Sequence, residues 1–197
     1  EKLSHSFHRG LMRSAASLSY EQVQSAYDGR PNDVPDGLLE NVIKPIYAAY
    51  HALSAARDKR QPLALDLPER QIELDEGGQV AAVKFKDRME SNRLIEEFMV
   101  LANVAAAETL IAKKTPLVFR VHEEPAKEKL DALRETAQSS GLNLAKGQVL
   151  KTAHINALLN MARDSDHSEL INMSTLRAMT QAYYSPDNIG HFGLALR

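Results

Sequence analysis

The sequence predicts an α+β fold in which a mixed β-sheet packs against several helices. Residues 71–85 combine period-two alternation with central glycines, which is typical of a β-hairpin. Residues 93–107 repeat apolar side chains at helical spacing. Strand-like and helical segments follow one another without strict alternation, and this order favours α+β over a parallel α/β sheet.

The composition limits the classes of protein to consider. Of the 197 residues, 44% are hydrophobic and 25% are charged, and the net charge is -2. The chain has no overall positive charge of the kind that indicates nucleic-acid binding, so a polyanion would need a local patch of basic residues. The absence of cysteine excludes disulfides and thiolate metal sites and suits a reducing compartment, so we expect a cytoplasmic protein. No apolar run predicts a membrane span, and the start at Glu1 rather than methionine suggests a processed or excised segment.

The first third of the chain predicts one strand and two helices. Residues 5–13 alternate loosely between apolar and basic side chains, as in a strand whose basic residues either contact phosphates or form a solvated edge. Residues 19–27 open with a capping box, which predicts a short helix. A loop rich in proline and glycine covers 30–37, and a longer helix covers 38–59. Pro45 lies inside that helix and should kink or divide it.

The next segments predict a sheet. Leucine at alternate positions of 63–67 indicates a short strand. The hairpin of 71–85 turns at 75–78, and its second strand alternates so that one face should be buried.

Residues 93–107 predict a buried central helix with two neighbouring apolar stripes. Packing is therefore expected on more than one of its sides. Glu96 and Asn103, two turns apart, project from the narrow polar edge that remains. Polar groups there would need partners, and a purely structural role for both residues stays open.

The second half of the chain predicts further short elements. Residues 117–121 form the best strand pattern of the sequence. The other predicted elements are a helix over 126–139 that ends at Gly141, a helix capped by Thr152, a helix over 170–179, a turn over 183–188 and a terminal strand over 191–196.

Motif spacing alone supplies no complete catalytic set. The glycines form no phosphate-binding loop, and no serine occupies a nucleophile elbow. The seven histidines lack the spacing of metal ligands. Glu96 and Glu97 are adjacent on a helix and point about 100° apart, so they cannot both face one ion.

Four segments nevertheless resemble the RNB family of exoribonucleases, which includes ribonucleases R and II. They occur in family order over nearly the whole chain and are specific when taken together. The segments are Phe7–Ala15 with Leu18–Val23, Arg93–Met99 with Ala102 and Asn103, Arg120–Pro125, and Tyr184–Leu196.

The resemblance implies a processive hydrolytic 3′→5′ exoribonuclease that degrades single-stranded RNA to nucleoside 5′-monophosphates with Mg²⁺. Residues 1–197 would be the central to C-terminal part of an RNB domain. The family's aspartate-rich metal motif would precede Glu1, and its arginine-rich motif would follow Arg197. No complete catalytic set and no metal ligands are then expected in this chain, and the segment alone should be inactive.

The resemblance also implies substrate contacts. One carboxylate of the Glu96–Glu97 pair would accept ribose hydroxyl bonds and so favour RNA over DNA. Leu65 stands where related enzymes carry a base-stacking aromatic residue. The other expected substrate-binding residues are Asn103, the channel-floor residues His191 and Phe192, and the phosphate contacts Arg9, Arg13 and Arg120.

A second interpretation remains: a non-catalytic RNA-binding or protein-interaction module that retains the RNB scaffold. Single-stranded RNA is the expected partner of the enzyme, and a membrane is not. A strand near each end of the chain predicts exposed sheet edges, and hence self-association of the segment.

Overall fold

A computed structural model describes residues 2–67, 69–86, 88–144 and 150–196. The chain divides into two compact units. The first unit comprises residues 1–56 and 86–115, and the second comprises 57–85 and 116–197. Helices and small two-stranded sheets make up the described elements, so the predicted α+β class is confirmed.

Helices dominate the first unit. They are α1 (Tyr20–Tyr27), α2 (Asp36–Leu38), a π-helical turn (Leu39–Ile43), α3 (Lys44–Arg60, of which Arg57–Arg60 belong to the second unit) and α4 (Glu90–Ala112).

Local sequence signals explain how two of these helices begin. The capping box at α1 is confirmed: the Ser19 hydroxyl accepts from the Gln22 amide, and the Gln22 side chain accepts from the Ser19 amide. The interruption expected at Pro45 takes the form of the π-helical turn before α3, where the Lys44 amide donates to the Leu39 carbonyl. Proline lacks an N–H and crowds the carbonyl four residues earlier, and a wider turn accommodates both effects.

The core of the first unit surrounds Tyr47, whose side chain is fully buried. Its ring stacks on Tyr27 with centroids 3.6 Å apart. Gln24 brings a polar group into this core, where its Oε1 accepts from the Ser91 amide at 2.9 Å and from the Tyr47 hydroxyl at 3.3 Å. The side-chain oxygen of Gln24 therefore has the hydrogen-bond partners that a buried polar atom needs.

The strand predicted over 5–13 is wrong. The segment has no regular secondary structure, and no described strand pairs with it. The segment and the residues just before it are tied instead by polar contacts to α4: His5 Nε2 lies 2.7 Å from Thr109 Oγ1, and Lys2 pairs with Glu108. A strand requires a hydrogen-bonded neighbour, which the alternation of one segment cannot supply.

Helix α4 exists as predicted but is buried on only one face. Leu94 and Ala105 are buried and Phe98 packs on the core of the first unit. The second apolar stripe is open, since Ile95 and Met99 are both exposed. The expectation of packing on more than one side is therefore wrong for the described residues, because apolar spacing shows which faces could pack but not whether a partner covers them.

The second unit contains two two-stranded sheets and three helices among its described residues. Its elements are β1 (Glu69–Leu74), β2 (Val80–Lys86), β3 (Phe119–Val121), α5 (Lys127–Ser139), α6 (Thr152–Ala162), α7 (Ser168–Ala178), β4 (Tyr183–Ser185) and a 3₁₀ turn (Phe192–Leu194).

Strands β1 and β2 form the predicted hairpin. The Asp75 carboxylate accepts from the Gly77 and Gln79 amides, and Gly78 has a positive φ of 77° that suits glycine. The expected buried face is wrong, because Val80, Val83 and Phe85 are all about 60% exposed. The hairpin thus carries unpacked apolar side chains.

The core of the second unit lies between α5, α6 and α7, around Leu133, Ile155, Leu158 and Ile171. Helix α5 ends at Gly141 as predicted, with φ at +73° and the Leu142 amide bonded to the Ala137 carbonyl.

Strand β3, predicted as the best strand, pairs antiparallel with β4. In this pairing Phe119 lies opposite Ser185 and Val121 opposite Tyr183. Part of the turn predicted over 183–188 is therefore strand.

Residues 61–67 are not the predicted strand but a segment held by side chains of α6 and α7. Asn156 donates to the Pro62 carbonyl and accepts from the Ala64 amide, both at 2.9 Å. Asn172 accepts from the Asp66 amide at 2.9 Å. Carboxamides take the place of a neighbouring strand here, because they offer the same donor and acceptor pair as a peptide group.

Candidate functional site

A cavity of about 460 Å³ lies in the second unit. We call it the second-unit cavity. Its volume falls within the range of small-molecule sites. It is lined by Arg60, Gln61, His122, Glu123, Glu124, Leu150, Lys151, Thr152, Ala153, Ile189, His191, Phe192, Ala195 and Leu196.

His122, directly after β3, organises one wall of this cavity. It is 8% exposed. Its backbone amide donates to the Gly190 carbonyl, and its carbonyl accepts from the Phe192 amide. Its Nδ1 accepts from the Gly193 amide at 2.9 Å, and its Nε2 lies 2.8 Å from the Thr180 carbonyl oxygen.

His191 lies beside His122, with ring centroids 5.0 Å apart. Its Nδ1 accepts from the Leu194 amide at 3.2 Å. Burial lowers the pKa of His191, and the neighbouring His122 and Arg120 lower that pKa further. His191 is therefore held neutral at ordinary pH.

The terminal strand predicted over 191–196 is wrong. His191 and Leu196 bridge to each other across a 3₁₀ turn, and Ala195 adopts a left-handed conformation. The segment folds back because it is bonded to His122, and not to a strand running beside its whole length. The fold-back still brings both predicted channel-floor residues, His191 and Phe192, to the cavity.

Gly193 permits the close approach of this turn to His122. A Cβ on Gly193 would lie 2.9 Å from His122 Nδ1 and 3.1 Å from its Cε1, closer than van der Waals contact allows. Any side chain at this position would displace the imidazole or the turn.

Charged groups of both signs line the second-unit cavity. Arg60 and Lys151 are basic, and Glu123 and Glu124 are acidic. Arg60 Nε donates to the Leu194 carbonyl at 2.9 Å, which anchors the turn from a second side. Glu123 accepts from the Tyr183 hydroxyl at 2.6 Å, and this bond raises the pKa of Tyr183.

Helix α6 begins at this cavity. Lys151 occupies the N-cap position, so the prediction that Thr152 caps the helix is wrong. The Thr152 hydroxyl instead donates to the Gln61 carbonyl at 2.6 Å. The first backbone amides of α6 have no acceptor within the helix, and the helix N-terminus adds positive potential to this wall.

Two further predicted residues of the second unit lie in other settings. Arg120 is not among the lining residues of the cavity. Its guanidinium lies 4.9 Å from the centre of the Tyr184 ring, a cation–π contact across β3 and β4. Leu65 is half-buried and packs against the helical core.

The remaining predicted residues belong to the first unit. Glu96 and Asn103 are exposed on α4, and Glu96 pairs with Arg88, so neither is the costly buried polar group that the sequence suggested. Glu97 is half-buried and has an interaction partner. Arg9 and Arg13 are exposed in the irregular N-terminal segment.

The metal ion that the family resemblance implies does not fit the residues described. Among them, no three histidine, aspartate or glutamate side chains come together in an arrangement that could hold a metal ion. No catalytic step through a metal is derived from this chain.

Sequence reasoning missed His122 and Gly193 as site residues. His122 follows the strongest strand pattern, within a segment that matched the family, so its position was a usable signal. Gly193 also lies in a segment that resembles the family, but its close contact could not be predicted, because it is made with a residue 71 positions away.

Comparison with known proteins decides the family. The family model of the RNB domain matches residues 1–197. The chain belongs to the RNB domain family. Ribonuclease R of Escherichia coli strain K12 is 30% identical over 197 residues, which are 98% of this chain and 24% of that protein. Ribonuclease R of Aquifex aeolicus is 31% identical over 196 residues, with 98% of this chain and 28% of that protein covered.

A solved structure supports the same family assignment for this RNB chain. Mycoplasma genitalium RNase R, in complex with ribose-methylated single-stranded RNA, matches with a TM-score of 0.80 and 28% identity. The match covers 91% of this chain and 28% of that one. The RNB chain thus spans about a quarter of the length of these curated relatives. Within the described ranges, no helix is both long and apolar enough to cross a bilayer.

Proposed function

We propose that this chain is the central to C-terminal part of the RNB domain of a processive 3′→5′ exoribonuclease, which acts in the cytoplasm. The enzyme hydrolyses single-stranded RNA to nucleoside 5′-monophosphates. The observation that carries the proposal is the family match over residues 1–197. The similarity to a ribonuclease R structure determined with single-stranded RNA supports the choice of substrate.

In the second unit, the cavity would serve as part of the RNA path. Phe192 offers an apolar ring for stacking on a base, and Arg60 and Lys151 offer positive charge to the backbone. His191 offers a neutral imidazole beside them. Arg120 would contact phosphate only by leaving the Tyr184 ring, so we propose for it a weaker contribution than for the lining residues.

In the first unit, the Glu96–Glu97 pair would accept hydrogen bonds from ribose hydroxyls, with Asn103 on the same helix and Arg9 and Arg13 as phosphate contacts. Glu96 is exposed and can exchange Arg88 for a sugar at small cost, since surface ion pairs contribute little. In the second unit, Leu65 would offer apolar packing in place of an aromatic ring. It must then leave part of its packing against the helical core.

The enzyme would require Mg²⁺ held by acids outside this chain. Such an ion would supply Lewis-acid chemistry in the whole enzyme, and no step through it is assigned to the residues of this chain. This chain would contribute substrate contacts and would exclude water around the RNA. The isolated segment is accordingly expected to be inactive.

The test compares the 197-residue chain with the longest natural protein that contains it. Each is incubated with a 3′-labelled and a 5′-labelled single-stranded RNA and Mg²⁺, and products are separated by length. The proposal expects mononucleotides from the longer protein only. Steady release by the isolated chain would refute the assignment of the metal ligands to other parts of the protein. RNA binding without any release by the longer protein would favour the non-catalytic module instead.

The sugar contact is tested in the longer protein with Glu96→Gln and Glu97→Gln. The discrimination between RNA and DNA should fall roughly 5- to 20-fold for the residue that contacts the ribose, the equivalent of one or two hydrogen bonds. Glu108→Gln is the matched control, because Glu108 lies on the same helix and, like Glu96, pairs with a basic side chain, that of Lys2. Unchanged discrimination in both variants would remove the sugar contact from the proposal.

A further inference from the structure

Three of the four polar groups of His122 hold one short segment, residues 190–193, and the fourth meets Thr180. Its backbone bonds to Gly190 and Phe192, its Nδ1 accepts the Gly193 amide proton, and its Nε2 faces the Thr180 carbonyl oxygen. The side chain is almost wholly buried, so water does not compete for these bonds. The imidazole is therefore a structural link between β3 and the turn that carries His191.

The partners of the ring assign its proton. A backbone amide can only donate, so Nδ1 of His122 must be unprotonated. A backbone carbonyl can only accept, so Nε2 must carry the proton. His122 is thus the neutral Nε2–H tautomer, with no nitrogen left for a ligand.

The same reasoning applies to His191, but there it leaves one ring nitrogen available to a ligand. Its Nδ1 accepts the Leu194 amide proton, so in the neutral ring the proton is on Nε2. Among the described residues this Nε2 has no hydrogen-bond partner, and the residue lines the second-unit cavity. The lowered pKa of His191 is consistent with the neutral form.

We propose that His122 is a positioning residue whose neutral imidazole fixes residues 190–193, so that His191 presents its Nε2–H as a hydrogen-bond donor to an oxygen atom of RNA in the second-unit cavity. The identity of the ligand rests on the proposed function, whereas the positioning does not. The charged groups that share the cavity are Arg60, Lys151, Glu123 and Glu124, together with Arg120 near His191.

The positioning is tested by NMR on the 197-residue chain labelled with ¹⁵N in histidine and in the backbone, at neutral pH. Long-range ¹H–¹⁵N spectra report the tautomer of each ring, and hydrogen exchange reports the Gly193 amide. The variants are His122→Ala, which removes both ring bonds, and His122→Asn, which retains an acceptor near the position of Nδ1. His167→Gln is the matched control, because His167 is exposed at the start of α7.

The unmodified chain should show Nε2–H tautomers at both His122 and His191. In His122→Ala, exchange of the Gly193 amide should quicken about tenfold, the equivalent of one hydrogen bond, and His191 should lose its single tautomer. His122→Asn should restore most of the protection of Gly193, and the control should change neither signal. A proton on Nδ1 of His122, or a His191 tautomer that is the same in His122→Ala, would overturn the positioning role.

The ligand is tested separately by adding a single-stranded oligoribonucleotide without metal. The proposal expects the Nε2–H signal of His191 to shift, and the His122 signal to keep its tautomer. Correct tautomers with no shift of His191 would refute the RNA contact and leave the positioning role standing. If His122→Ala does not fold, the tautomers of the unmodified chain and the His122→Asn comparison decide the positioning role.

Discussion

Replacing Asn172 with alanine tests how the segment of residues 61–67 is held. Asn172 is 4% exposed, its Oδ1 accepts from the Asp66 amide at 2.9 Å, and its Nδ2 donates to the Ser168 carbonyl at 3.0 Å. The Ser168 carbonyl lies in α7 and keeps its helical partner, so mainly the Asp66 bond is lost without replacement. One net hydrogen bond and the removal of a buried carboxamide should together lower the free energy of unfolding by about 1–3 kcal/mol.

The assay is urea unfolding followed by far-ultraviolet circular dichroism, combined with hydrogen exchange of the Asp66 amide. Exchange of this amide should quicken about tenfold for each 1.4 kcal/mol lost locally. Asn160→Ala is the matched control, because Asn160 is an exposed carboxamide on α6 whose bond to Arg163 is short-range. The claim that side-chain hydrogen bonds hold residues 61–67 would be refuted by two results together. Asn172→Ala would change the free energy of unfolding no more than the control does, and the Asp66 amide would exchange at its original rate.

Three further predictions follow from particular contacts. Gly193→Ala should lower the free energy of unfolding by about 1–3 kcal/mol and shift the His122 ring signals, because its Cβ would lie 2.9 Å from Nδ1; unchanged ring signals would contradict the close contact. Burial raises the pKa of the Tyr47 phenol to about 12, so stability should fall as pH rises from about 10 towards 12, by at most about 2–3 kcal/mol. Tyr47→Phe should remove that alkaline loss, and an identical loss in the variant would contradict it. The exposed apolar side chains of the hairpin should promote self-association. The double variant Val83→Lys with Phe85→Lys should therefore have a lower mass by light scattering at high concentration than the unmodified chain. An unmodified chain that is monomeric at that concentration would refute the prediction.

Elements governed by nearby residues could be predicted from the sequence. The capping box at Ser19, the glycine end of α5 at Gly141 and the turn of the β1–β2 hairpin all depend on residues within five positions of one another. Their side chains or backbone conformations determine the local structure directly. Each of these predictions is confirmed.

Elements whose hydrogen-bond partners are distant could not be predicted in this way. Residues 5–13, 63–67 and 191–196 all have strand-like patterns, yet each is bonded to a different kind of partner. The second is bonded to the carboxamides of Asn156 and Asn172, and the third folds back onto His122. Alternation describes how side chains would be arranged in a strand but does not identify what will satisfy the backbone.

In the candidate site, too, some residues could be predicted from the sequence and others could not. Family resemblance supplied His191 and Phe192, and both line the second-unit cavity. The role of His122 could not be predicted from the sequence, because its hydrogen bonds reach residues 58 to 71 positions away. The residues of α4 and those of the second-unit cavity belong to different units, so their joint role on one RNA path stays a prediction.

Photo-crosslinking of single-stranded RNA can decide whether this chain contacts the substrate of the proposed enzyme. The longest natural protein that contains this chain is mixed with RNA carrying 4-thiouridine near its 3′ end, in the presence of a chelator that prevents cleavage. After irradiation, the crosslinked peptides are identified by mass spectrometry. We predict crosslinks within residues 189–196 of the second-unit cavity and within residues 96–103 of α4. Crosslinks confined to other surfaces, such as the β1–β2 hairpin, would contradict the claim that this chain contributes substrate contacts to an RNA-degrading enzyme.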